Sequence, residues 1–139
     1  MRKIPFINLL LILALSAFFF TPMQAQNPAN LALLESTTPE ERAAVQTELL
    51  GEKLALDTAQ LTQLRTINLK YAEKMEPVIK GNSSNWNKYR TATRFDKEKD
   101  VELKGLLSAA QFEAYQAYKA KLREDSKTRL LEQRRNVGN

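Results

Sequence analysis

The chain has 139 residues, 43% apolar and 27% charged, with 21 basic and 16 acidic side chains and neither Cys nor His. This composition excludes a disulfide framework, a thiol nucleophile, a zinc–thiolate site, lipoprotein attachment, a Ser-His-Asp triad and any imidazole ligand or base. Four Gly leave no room for a glycine-rich phosphate loop, so the sequence reads as a small, helix-rich, non-catalytic protein that needs no cofactor and no metal.

Met1-Arg2-Lys3 opens with positive charge, and an apolar run from Ile4 to Phe20 follows. The more polar Thr21-Pro22-Met23-Gln24-Ala25-Gln26 completes the three-part layout of a secretory signal over residues 1–25, with Ala25 before the cut. As a helix the apolar run reaches about 26 Å, short of a ~30 Å hydrocarbon core. A cleaved leader, with no stable membrane span afterwards, is therefore expected rather than an anchor. Its removal takes away Arg2 and Lys3 and lowers the formal charge from +5 to +3. Export also sets nucleic acid aside as a partner.

Residues 26–37 read as a flexible linker, in which Leu31, Leu33 and Leu34 offer apolar contacts. A helix should then start at Thr38-Pro39-Glu40-Glu41, where Thr38 caps, Pro39 takes the first turn and Glu41 closes a capping box. It should end between residues 50 and 55, weakened by Gly51. Leu56-Asp57-Thr58-Ala59-Gln60-Leu61 and Leu107-Ser108-Ala109-Ala110-Gln111-Phe112 share one layout, 51 residues apart. In each, Asp57 or Ser108 is an N-cap and Gln60 or Gln111 completes a capping box. Leu56 with Leu61, and Leu107 with Phe112, are spaced as hydrophobic staples.

Leu61, Leu64, Asn68, Tyr71, Met75 and Val78 recur at helical steps, as do Phe112, Tyr115, Lys119 and Leu122. The first run should kink or stop near Pro77, and Gly81 to Ser84 reads as a loop. From Asn85 to Leu107 a charged helix carries Trp86, Tyr89, Thr93, Asp100, Leu103 and Leu107 on a narrow seam. Asn68, Asp100 and Lys119 interrupt apolar stripes and are candidates for pairing across helices. The expected fold is all-α, with two antiparallel helical hairpins over 38–80 and 85–135 and a disordered tail at 136–139. With few apolar residues larger than Ala, a thin, curved four-helix layer completed by dimerisation uses the apolar supply best.

The two boxes in an exported, all-helical chain resemble the Spy/CpxP family of periplasmic proteins, whose mark is a twice-repeated Leu-Thr-x-x-Gln. Leu56…Gln60 and Leu107…Gln111 match it, with Asp57 and Ser108 in place of Thr. The resemblance covers most of residues 38–125. It implies a cradle-shaped homodimer in the periplasm and an ATP-independent chaperone for unfolded envelope proteins. The alternative that it implies is a regulatory or structural partner of one envelope protein, such as a stress sensor. The family's metal-binding branch uses His-rich segments, which this chain lacks.

Trp86, Tyr89, Arg90, Arg94 and Phe95 mix aromatics and cations on one helical stretch and form the candidate client-binding surface. The competing reading puts Trp86 and Tyr89 in the core and leaves the cations on a solvated face. Leu56, Asp57, Gln60, Leu107, Ser108 and Gln111 are expected to be structural, setting where two helices begin. Residues 114–139 are locally basic, a charge suited either to acidic partners and lipid headgroups or simply to the helix dipole.

Overall fold

In a computed structural model, which describes residues 36–137, the chain forms α1 (Pro39–Leu54), α2 (Thr58–Lys80), α3 (Asn85–Leu106) and α4 (Ala109–Val137). The expected leader, most of the linker and the last two residues lie outside the described residues. No strand occurs among the described residues, and no described helix is long and apolar enough to cross a membrane.

Local chemistry sets the helix ends. At α1 the Glu41 N–H donates to Thr38 Oγ1 at 3.2 Å, and the Thr38 N–H donates to Glu41 Oε2 at 2.9 Å. The same reciprocal box starts α2 through Asp57 and Gln60. Ser84 caps α3 by accepting from the Asn87 N–H. Between α1 and α2, Ala55 turns into the left-handed region at φ 48°. The Leu56 N–H then donates to the Gly51 carbonyl at 3.1 Å. Such a turn satisfies carbonyls that a helix end leaves bare.

α2 runs through Pro77 to Lys80, the expected end of the first hairpin; Ile79 is buried, and the Gly81 N–H closes the last turn on the Pro77 carbonyl at 2.9 Å. One boundary differs from expectation. α4 continues to Val137, so Asn136 and Val137 are helical rather than part of a tail.

Successive helices run in opposite directions, as cross-helix pairs with falling and rising numbers require. Between α1 and α2 the pairs are Arg42 with Glu76 and Thr47 with Asn68. Between α2 and α3 they are Lys70 with Glu102 and Lys74 with Glu98. Asp100 with Tyr115 and Asp96 with Lys119 join α3 to α4. The apolar core gathers at one end, where Leu50, Leu54, Leu64, Leu103, Leu107 and Tyr115 meet and Leu56, Ile67, Leu106, Phe112 and Tyr118 pack against them. Gly51 allows that approach, because a Cβ there would lie 2.5 Å from Leu61 Cδ2.

Candidate functional site

Two regions carry the residues singled out by the sequence, and they lie at different places in the fold. The first is the core end, where α1 and α3 finish and α2 and α4 begin. The repeated boxes meet there. Gln60 Nε2 donates to Gln111 Oε1 at 2.8 Å, and Gln111 Nε2 donates back to Gln60 Oε1 at 3.1 Å. Each amide also reaches the other unit's helix end: Gln60 to the Leu106 carbonyl and Gln111 to the Leu54 carbonyl, both at 3.4 Å. Each Oε1 still accepts from the backbone N–H of its own cap, Asp57 or Ser108. Both glutamines thus serve as cap, cross-link and carbonyl donor together. Leu107 is buried and Leu56 half-buried beside them. The sequence spacing identified the boxes; their pairing with one another it did not.

Next to this junction lies a partly buried charge network. Lys119 on α4 donates to Asp96 Oδ2 at 2.8 Å and to both Asp100 oxygens at 2.7 and 2.8 Å. The Tyr115 hydroxyl donates to Asp100 Oδ1 at 2.9 Å, and Arg123 approaches Asp96 at 3.8 Å. Burial pushes the Asp96 carboxyl above its ordinary range, against the opposing pull of Lys119. Burial and the Asp100 charge both hold the Tyr115 phenol far up. Lys99 points from α3 toward α1, where its ammonium donates to Gln46 Oε1 at 2.9 Å; desolvation pushes it down to about 8. Asp100 therefore turns inward to Lys119, and Asn68 meets Thr47 Oγ1 at 2.9 Å on α1. All three stripe-breaking polar residues are engaged across helices.

The second region is the outer side of α3. Trp86 is 56% exposed and stacks on Tyr89 with ring centroids 5.8 Å apart, so it is not a core residue. Tyr89 is half-buried and Arg90 exposed. Arg94 lies over the half-buried Phe95 ring at 5.2 Å and 3.8 Å from Glu98. Phe95 leans toward α2, where the Lys74 ammonium covers its ring at 5.2 Å. It supports the surface rather than sitting on it. An open depression of about 490 Å³ is lined by Tyr89, Arg90, Thr93, Arg94, Lys97, Glu98 and Val101.

Sequence reasoning missed Lys97, Glu98 and Val101 in this depression. The available signal was the four-residue step from Tyr89 through Thr93 and Lys97 to Val101, which puts them on one helical edge. Val101 is 74% exposed. Glu98 is held by Lys74 and Arg94, leaving Arg90 and Lys97 without a carboxylate partner among the described residues. The arrangement offers aromatic and aliphatic contact flanked by cations, and no positioned acid–base pair or nucleophile. Among the described residues no group of three or more acidic side chains could hold a metal ion.

Comparison with known proteins gives one family. Residues 25–124 match the model of a family described as a domain of unknown function, DUF4890. No curated protein and no solved structure matches the chain. The match spans most of the chain, including both boxes, all of α1 to α3 and the docked part of α4. The chain belongs to the DUF4890 family.

Proposed function

We propose that the protein is an exported, non-catalytic chaperone of the Spy/CpxP type, processed near Ala25 and resident in the periplasm. It holds unfolded envelope proteins without ATP on the outer side of α3. The observation that carries this reading is the exposed Trp86 stacked on Tyr89 beside Arg90 and Lys97, which have no carboxylate partner among the described residues, with Val101 further along the same edge. Aromatic and aliphatic groups contact the apolar segments of an unfolded chain, and the cations draw in its acidic ones. The start of the family match at residue 25 supports a leader that is separate from the domain. Opposed successive helices and a largest apolar cluster set at one end support two hairpins in a thin layer that a homodimer completes.

Aggregation of two unrelated client proteins, followed by light scattering with and without the purified protein, tests the activity. Suppression of both is expected, with loss of suppression in Trp86→Ser/Arg90→Glu while circular dichroism stays unchanged. Suppression of neither points instead to a regulatory or structural partner of one envelope protein. Trp86 is the only tryptophan in the chain, so its emission reports client contact directly.

A further inference from the structure

The outer faces of α1 and α3 point away from one another and carry opposite charge. On α3, Glu98 and Glu102 turn to Lys74 and Lys70 of α2, and Asp96 and Asp100 turn to Lys119 of α4. Between these two borders Lys99 reaches inward to Gln46 of α1. The side left over, facing away from α1, is an exposed row of Arg90, Arg94, Lys97, Val101 and Lys104 at steps of three and four. Asp100 stands one turn from both Lys97 and Lys104, but Lys119 takes its two oxygens; Glu98 is held by Arg94 and Lys74. α1 shows the converse. Arg42 and Thr47 meet α2, Gln46 meets α3, and Lys53 lies over the Tyr118 ring of α4. The exposed row pointing away from these contacts is Glu41, Ala44, Glu48 and Glu52. Glu41 closes the Thr38 cap. Glu48 has Ala44, Val45, Gly51 and Glu52 as its one-turn neighbours, so its own helix offers it no cation.

We propose that the outer face of α3 docks α1 of a second copy of this chain, antiparallel, in a head-to-tail contact. The seven-residue step from Glu41 to Glu48 equals that from Lys97 to Lys104, about 10.5 Å along either axis. Run antiparallel, Glu48 meets Lys97, Ala44 meets Val101 and Glu41 meets Lys104. The small Ala44 lets Val101, 74% exposed, be covered between two charge pairs. The parallel register would set Glu52 on Val101 instead. Trp86 lies beyond the end of the docked α1, so its stack on Tyr89 stays open. Because the two faces point apart, a docked pair keeps a free face of each sign and addition continues, as heterologous contacts allow. Exposed ion pairs are individually weak and screened by salt, so the association is concentration-dependent and salt-labile. The contact borrows Lys97 and Val101 from the proposed client surface but depends on neither client capture nor the proposed homodimer.

Sedimentation velocity of the full protein, across a dilution series at low and high salt, tests the proposal. Growth in mass with concentration at low salt, reversed at high salt, is expected. Lys97→Glu and Glu48→Lys, made separately, should each weaken association roughly fivefold or more, with circular dichroism confirming that both are folded. Mixing the two variants puts opposite charges back at the facing positions and should recover the wild-type association. Arg65→Glu, at an exposed site on α2, changes net charge as much as Lys97→Glu and should weaken it far less. Association through the apolar run at residues 4–20 is indifferent to these substitutions, so the comparison among variants is the readout. A single salt-independent mass at every concentration overturns the proposal. So does a mixture no better than either variant alone, or an equal loss in Arg65→Glu. Suppressed client aggregation in the same preparation would then leave the chaperone reading standing.

Discussion

Ala55 shows how a single residue carries the cost of a tight connection. Its left-handed backbone brings Cβ close to the following carbonyl, a conformation that costs an L-residue roughly 1–2 kcal/mol and glycine little. After the extra freedom that glycine gives the unfolded chain, Ala55→Gly should stabilise by about 0.5–1 kcal/mol in urea melts. Lys119 is the opposite case, a buried charge whose partners justify it. Lys119→Met removes the ammonium that Asp96 and Asp100 share and leaves Asp96 with the more distant Arg123, 3.8 Å away. Removing one member of a buried pair typically costs ~3–5 kcal/mol, and the partial exposure of both carboxylates puts this variant near the lower end. Adding Asp100→Asn should recover part of that loss, because the remaining repulsion disappears.

At the scale of elements, the paired boxes make two helix starts one unit. Asp57→Ala and Ser108→Ala should each cost about 0.5–2 kcal/mol by removing a cap. Those losses should leave the proposed chaperone activity per folded molecule near normal, since both residues lie away from the α3 surface. The amide pair makes a sharper prediction. Gln60→Ala and Gln111→Ala should be non-additive in a double-mutant cycle, with a coupling of roughly 1 kcal/mol. Additive losses would mean that each glutamine stabilises only its own helix. The periodicity of α2 and α4 was legible because long apolar repeats declare a face; whether the helix would continue through Pro77 was not. A proline near a helix end removes one hydrogen bond locally, whereas burial of Ile79 is a long-range gain that no local window contains.

For the molecule as a whole, stability should depend on pH through several groups of opposite sign. Hydrogen bonds from Lys80 and Arg42 hold Glu76 below the usual carboxylate range, and those from Lys70 and Tyr71 do the same for Glu102. Their contribution is complete above the ordinary pKa and is lost as pH falls through the lowered values. Asp96, held high by burial, offsets part of that loss because the folded state keeps its proton. On the alkaline side Lys99 is neutral in the folded protein above about 8 but stays charged in the unfolded chain to 10.5. Stability should therefore rise between about pH 8 and 10, and Lys99→Met should abolish that rise in urea midpoints measured at both ends. Above pH 10 the raised phenols, including Tyr118 pushed up to about 12, reverse the trend, since they ionise first in the unfolded chain.

The sequence by itself determined the all-helical class, the four helix starts, and the polar residues that break the apolar stripes. These depend on contacts within a few positions, and caps, staples and periodicity are written at that range. It left open whether Trp86 is core or surface, because a helical seam shows which residues share a face and not which face meets a neighbour. Only the packing of α3 against α2 turned Phe95 toward Lys74 and left Trp86 and Val101 outside. Tertiary structure likewise decided that Gln60 and Gln111 pair and that Asp100 meets Lys119. Each depends on two or more helices arriving together, at sequence separations from 19 residues for Asp100 with Lys119 to 51 for the glutamines, and local spacing carries no record of that encounter.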